Sequence, residues 1–311
     1  MPRSVSVLFI SLVLAGAWPC PVWASPFTFT TIDVPNSLGS WAQGINNAGQ
    51  IVGSFDDGTE QHAFLLSEGT FTTIHVPDSS MTYGAYGIND AGQIVGGFFD
   101  GTAFRDYGFL LSEGTFTTFD VPGAVSTAGY GINDAGQIVG RFFDGASIHG
   151  FLLSEGTLTT IDVAEQNQAT GINNAGQIVG SLFQSYHGFL LSEGTLTTID
   201  VADSSGAYGI NDAGQIVGSF WDGKSHGYLL SEGNFTTINI RGSRQIIPFD
   251  INDAGQIVGE FTDAAGREHG FLATPVVPEP ATLIVLGTGL VGLLGRGWQR
   301  RLLRTPPNRQ P

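Results

Sequence analysis

The chain has 311 residues, of which 13% are charged, 11% are aromatic and 45 are glycine, with a formal net charge of −16. That balance argues for a β-rich globular protein with a sizeable core and against a disordered one. Residues 25–274 alone carry 27 acidic side chains against Arg105, Arg141, Lys224, Arg241, Arg244 and Arg267, a net of −21. Such a body repels phosphate backbones, so nucleic acid is not an expected partner, whereas cations and neutral glycans stay open.

At the amino-terminal end, residues 1–24 set Arg3 before an apolar run, Val5–Ala17, and place Val22 and Ala24 just before Ser25. This is the pattern of a secretory signal peptide with its cleavage site. Ala17, Trp18 and Pro19 before Cys20 lack the small aliphatic residues of a lipoprotein box. Cys20 is the only cysteine, so the mature protein would hold no thiol and must be stabilised by packing.

From residue 25 onward one phrase recurs. GINDAGQIVG stands at 87–96, 131–140 and 209–218, GINNAGQIVG at 44–53 and 171–180, and DINDAGQIVG at 250–259. The offsets are 43, 44, 40, 38 and 41 residues. A period near 40 with only short apolar runs predicts four-stranded units, as in a propeller. In residues 85–121 the strands read as A, Ala85–Asn89; B, Gln93–Phe99; C, Tyr107–Leu111; and D, Thr115–Val121. Gly92 and Gly114 sit where a type I turn with a bulge wants a left-handed residue. Asp-Gly marks most B–C loops, at Asp57-Gly58, Asp100-Gly101, Asp144-Gly145 and Asp222-Gly223. Strands B and C are apolar at consecutive positions, which means both sheet faces are covered. Strand D is wetter, as an outer edge should be.

The ends carry the topology. Six A–B phrases and six C strands are present, the last being His269–Ala273, and there are six D strands, of which the first, Phe29–Val34, precedes every A strand. A ring resolves the mismatch. The expectation is an all-β, six-bladed β-propeller of four-stranded blades over residues 25–274, closed by the N-terminal strand. An open solenoid would leave unpaired edges and want polar caps. With His62-Ala63-Phe64 and His-Gly-Phe-Leu in most copies, residues 27–274 resemble the extracellular HAF-repeat family, although most copies have Gly for Ala and one has Tyr107 for His. The resemblance implies fold and export and brings no activity.

His62, His149, His187, His226 and His269 occupy one position in five units and suggest a metal ring. Strand C stands about 10 Å outside the channel wall, whereas a metal needs nitrogens at about 2.1 Å, so a structural role is expected, such as a hydrogen bond to a turn. The repeated acids Asp90, Asp134, Asp212, Glu68, Glu113 and Glu155 fall in turns and cannot converge on one catalytic point. The A–B and C–D turns share one face and barely vary; all irregularity falls on the B–C and D–A rim, where a scaffold usually carries recognition. Tyr86, Tyr130, Tyr208 and Phe249, with Gln43 and Thr170, stand just before the phrase on the innermost strand. They either pack between blades or ring the channel mouth, where aromatic bodies with polar handles suit sugars. Trp41, Trp221, Arg105, Arg141 and Arg244 belong to the same rim. The candidate ligand-binding set is therefore Trp41, Tyr86, Tyr130, Tyr208, Trp221 and Arg105.

The carboxy-terminal segment, 275–311, contains Val277-Pro278-Glu279-Pro280, an apolar stretch Ala281–Leu294, and then Arg296, Arg300, Arg301 and Arg304. These three parts in order resemble a PEP-CTERM sorting signal. The apolar stretch is shorter than the roughly 20 residues of a usual spanning helix. With Trp298 at the interface it can span by extending to its flanks, the arginines staying cytoplasmic. The resemblance implies cleavage near Pro278-Glu279-Pro280 by an exosortase, a membrane-embedded cysteine protease of Gram-negative bacteria that make exopolysaccharide. An ordinary membrane anchor is the alternative.

The functional expectation is an exported, non-catalytic surface or extracellular-matrix protein, transiently anchored by its tail. It would bind exopolysaccharide or surface proteins in a biofilm setting, with no cofactor and no metal. One alternative is a glycoside hydrolase, but no Ser-x-Asp-x-Gly-x-Thr-Trp box occurs, and only Glu165 and Glu260 are non-repeated acids worth noting. The other is a cation-binding matrix protein using Asp57, Asp100, Asp144, Asp222 and Asp263, each alone on its unit where calcium wants several gathered oxygens.

Overall fold

Among the residues described by the computed structural model, 26–161, 163, 166–202 and 204–276, there are twenty-four β-strands and no helix. The leader, the sorting motif Val277–Pro280, Arg300, Arg301 and Glu165 lie outside them. β1 (Phe27–Ile32) comes first and alone. A meander follows: β2 (Gly39–Ile45), β3 (Ile51–Asp56), β4 (Gln61–Ser67) and β5 (Thr70–Ile74). The next is β6 (Met81–Ile88), β7 (Ile94–Asp100), β8 (Arg105–Ser112) and β9 (Thr115–Phe119). Then come β10 (Ser126–Ile132), β11 (Ile138–Phe143), β12 (Ile148–Ser154) and β13 (Thr157–Ile161). β14 (Asn167–Ile172), β15 (Ile178–Leu182), β16 (His187–Ser192) and β17 (Thr195–Ile199) repeat the pattern. So do β18 (Ser204–Ile210), β19 (Ile216–Trp221), β20 (Ser225–Ser231) and β21 (Asn234–Ile238). The last three are β22 (Gln245–Ile251), β23 (Ile257–Thr262) and β24 (Glu268–Pro275).

β1 pairs antiparallel with β24, from Phe27 opposite Pro275 to Ile32 opposite Gly270, and completes the sheet β1-β24-β23-β22. The first and last described strands, about 240 residues apart, are thus joined by hydrogen bonds, the geometry of a β-propeller. Four sheets stand as separate four-stranded blades. The remaining eight strands, β6 to β13, form one continuous sheet instead of the two separate sheets expected. Its two meanders meet at a single parallel pair, Ser126 of β10 and Asp106 of β8. At the same place the Arg105 guanidinium pairs with Asp120 at 2.9 Å and donates to the Ala124 carbonyl, tying the β9–β10 connection to the start of β8.

Each blade core lies between neighbouring sheets. Phe64, Phe109, Phe151, Phe189, Tyr228 and Phe271 occupy one position of the third strand in each repeat and are fully buried. Each contributes about 1.5–3 kcal/mol by burial. The cluster Ile32, Val34, Ala42, Ile45, Ile51, Phe64 and Val258 joins the last strands to the first meander.

The turns differ from expectation in one respect. Gly92 has φ +76 and its N–H bonds Asn89 O, as a type I turn with a left-handed residue requires. The C–D loops are two residues long, and in them Glu113 (φ 48) and Gly114 (φ 76) are both left-handed, a type I′ turn. The right-handed twist of the flanking strands matches that turn, and it forces a glutamate where Asn is usual.

The opening Asn of each phrase closes the ring. Asn46 Nδ2 donates to Asn89 O, Asn89 to Asn133 O, Asn133 to Asn173 O, Asn173 to Asn211 O, Asn211 to Asn252 O, and Asn252 back to Asn46 O, all at 3.0–3.1 Å. A second cycle runs at the surface, where each backbone N–H from Asn47 to Asp253 bonds the next residue's side-chain oxygen at 2.8–2.9 Å.

Candidate functional site

Because the first strand of each repeat lines the axis, its successive residues form stacked collars. Asn47, Asp90, Asp134, Asn174, Asp212 and Asp253 surround the mouth on the smooth face. The buried Asn collar and an Ile collar, Ile45 to Ile251, follow inward. Next come Gly44, Gly87, Gly131, Gly171 and Gly209, with Asp250 in the sixth place. Past this collar the channel widens into a well of about 310 Å³ lined by Gln43, Tyr86, Tyr130, Gln168, Thr170, Tyr208 and Phe249. The well opens on the B–C and D–A rim.

These aromatics therefore stand on the channel wall, half-buried. Tyr86 and Tyr130 are neighbours, ring centroids 5.2 Å apart, and Tyr208 and Phe249 are neighbours at 6.2 Å. By ring order the two pairs face each other across the axis, with Gln43 and Thr170 at the two remaining, opposite positions. The well is a slot with two aromatic walls and two polar ends. Tyr208 bonds Ser219 Oγ at 3.0 Å, Ser54 Oγ donates to Gln43 Oε1 at 3.2 Å, and Arg141 lies over Tyr130 at 5.7 Å while donating to Gln168. The hydroxyls of Tyr86 and Tyr130 have no hydrogen-bond partner among the described residues. Burial pushes the phenols of Tyr86, Tyr130 and Tyr208 above their ordinary pKa.

Two carboxyls stand near the well, Asp250 in the collar below it and Glu260 close enough for its charge to raise Tyr208. Asp250 is half-buried where its repeats have glycine, accepts from Ile45 N at 3.0 Å and Ile251 N at 2.9 Å, and is raised by desolvation to about 7. Glu260 is raised by desolvation, then by Glu268, also to about 7. Sequence reasoning singled out Glu260 but passed over Asp250; the signal was its departure from Gly in an otherwise repeated phrase.

The rest of the candidate set is scattered. Arg105 does not join the aromatics, because it is held by Asp120 and Ala124 two strands out from the axis. Trp41 lies on β2 yet covers a separate hollow with Asp56, Gly58 and Gln61. Trp221, 56% exposed, lies in a groove of about 300 Å³ that shares Gln168 and Tyr208 with the well.

Four of the five repeated histidines have the expected hydrogen bond to a turn; His187 does not, its Nδ1 lacking a hydrogen-bond partner among the described residues and standing 3.8 Å from Asp200. His62 meets Asp57 at 3.0 Å, His149 Asp144 at 3.3 Å, His226 Asp222 at 3.1 Å, and His269 Asp263 at 3.4 Å and Asp33 at 2.9 Å. Each also stacks on a second-strand Phe, at 5.1 Å for Phe55 and Phe142 and 5.2 Å for Phe220. The turn aspartates are occupied by their own loops. Asp57 accepts from Thr59 and Glu60, and the Thr59 hydroxyl first of all holds it well below the usual carboxylate range. Asp144 and Asp263 are lowered chiefly by backbone N–H donors, from Ser147 and Arg267 respectively.

Residues 276–301 match the PEP-CTERM protein-sorting motif. That motif indicates an exported protein with a C-terminal sorting and anchor segment processed by exosortase. No curated protein sequence matches the chain. Among solved structures, a streptogramin B lyase is 14% identical with a TM-score of 0.53, covering 79% of this chain and 97% of that one. A calcium-binding protein, regucalcin, from Agrobacterium tumefaciens is 12% identical with a TM-score of 0.50, covering 80% and 96%. YCF48 bound to D1 peptide is 10% identical with a TM-score of 0.50, covering 84% and 98%. At these identities the likeness shows the β-propeller fold alone.

Proposed function

We propose that this is a non-catalytic surface or extracellular-matrix protein whose propeller binds glycan or protein through the well and its rim. The single observation that carries this reading is the half-buried aromatic slot, open to solvent, on the one rim where loop length varies. On this reading the double sheet acts as two blades, six in all, one per repeated phrase, and the repeats are of the HAF type. Orientation supports it. β24 ends at Pro275 on the face of the A–B and C–D turns, where Val276 N also bonds Pro26 O. A sorting segment leaving there holds the well on the side away from the membrane.

The test has two parts. Purified protein should bind secreted exopolysaccharide or a cell-surface preparation from the producing bacterium, and Tyr86→Ala with Tyr208→Ala should abolish binding; no retention of the wild type on either would sink the reading. Replacing Glu279 and Pro280 by Ala should leave an uncleaved precursor on an immunoblot. A second reading, glycoside hydrolysis, is favoured by Asp250 and Glu260, since carboxyls raised to about 7 can act as acids near neutrality. Turnover of fluorogenic glycosides that disappears in Glu260→Gln would establish it instead.

A further inference from the structure

Beside the well, between the blades β14–β17 and β18–β21, the groove reaches outward to the rim. It shares Gln168 and Tyr208 with the well, so the two are continuous through the slot's polar end at Thr170 and Gln168. At the far end stands Trp221, paired across its sheet with Ser204 on one side and Ser225 on the other. Residues directly opposite in antiparallel strands share a face, so the indole is flanked by two hydroxyls. Between the two ends the Oγ of Ser181 is buried and has no partner.

The inner end is constricted. Below the aromatics the channel holds only about 40 Å³ of free space at the glycine and Asp250 collar, too little to pass a sugar ring. A polymer can therefore enter the well only by a terminus and must leave along the groove. The groups offered are flat aromatic faces, the free hydroxyls of Tyr86 and Tyr130, side-chain amides and serines. These suit a ligand with apolar ring faces and many hydroxyls. A body of 27 acidic and six basic residues disfavours an anionic chain.

We propose that well and groove form one site for the free end of a neutral oligosaccharide, the terminal ring held between the aromatic walls and a later ring stacked on Trp221. This rests on the reading of the propeller as a binding module and deepens it to a ligand class and a polarity.

The full chain is titrated calorimetrically with cello-, laminari-, malto- and N-acetylchito-oligosaccharides of two to six units, and with cyclic maltooligosaccharides. At least one linear series should bind, tightening with length. Trp221→Ala should weaken the longer members about three- to tenfold and leave the disaccharide unchanged. Tyr130→Ala should abolish binding to every member, with Tyr130→Phe, which keeps the fold and the ring, showing an intermediate loss. A cyclic ligand that binds as well as its linear counterpart overturns chain-end recognition. Length-independent binding, or Trp221→Ala without effect, overturns the groove. If no neutral oligosaccharide binds but the surface preparation still does, this inference falls and the binding-module reading stands; if neither binds, both fall.

Discussion

Replacing Asn133 by Asp separates two explanations of the repeated phrase. As the first residue of a type I turn, Asp serves about as well as Asn. The carboxamide of Asn133, however, is 4% exposed at the residue level and makes three bonds. It accepts from Gln137 N at 3.0 Å and donates to Gln137 Oε1 at 2.8 Å and to Asn173 O at 3.1 Å. Asp keeps the first and turns the other two into oxygen facing oxygen, with a charge brought out of water. Losing two bonds at about 0.5–1.5 kcal/mol each, with the unmet buried acceptors, amounts to about 2–4 kcal/mol. Asn133→Ala, which orphans the Gln137 N–H, should cost a similar amount. Equilibrium urea unfolding followed by tryptophan fluorescence reads both. An Asp variant within about 0.5 kcal/mol of wild type would show that the turn alone explains the Asn and that the cycle adds nothing to closure.

Asp250 makes stability fall as pH rises. Its folded pKa of about 7 lies above the ordinary 3.8, so the native state retains a proton that the unfolded chain has lost. The stabilisation is complete below pH ~4 and vanishes as pH approaches ~7, with a ceiling of about 4 kcal/mol. Asp250→Asn should flatten that slope in melting curves; an unchanged slope would mean the carboxyl ionises normally. Glu113→Asn places a residue tolerant of left-handed backbone at φ 48 and should gain about 0.5–1 kcal/mol, seen as a Tm rise of about 1–4 °C. Gly140→Ala would set a Cβ 2.0 Å from Ala128 O and should cost about 3 kcal/mol or more, which a Tm within a degree of wild type would contradict.

The repeat unit, its four strands and the closing partner of Phe29–Val34 were legible from the sequence alone, because turn glycines and apolar runs are local signals and a count of strands exposes an unpaired end. The sorting motif was legible for the same reason: its parts are contiguous. What occupies the axis was decided only in three dimensions. Nothing local tells an Asn that makes a turn from an Asn that also donates a hydrogen bond to the next repeat some 40 residues on, nor that Tyr86 and Tyr130 should face Tyr208 and Phe249. Arg105 looked like a rim cation because sequence shows that a charge is present and hides the Asp120 that neutralises it. Asp250, one carboxylate among five glycines, matters only because closing the ring sets Ile45 N against it and takes that position partly out of water.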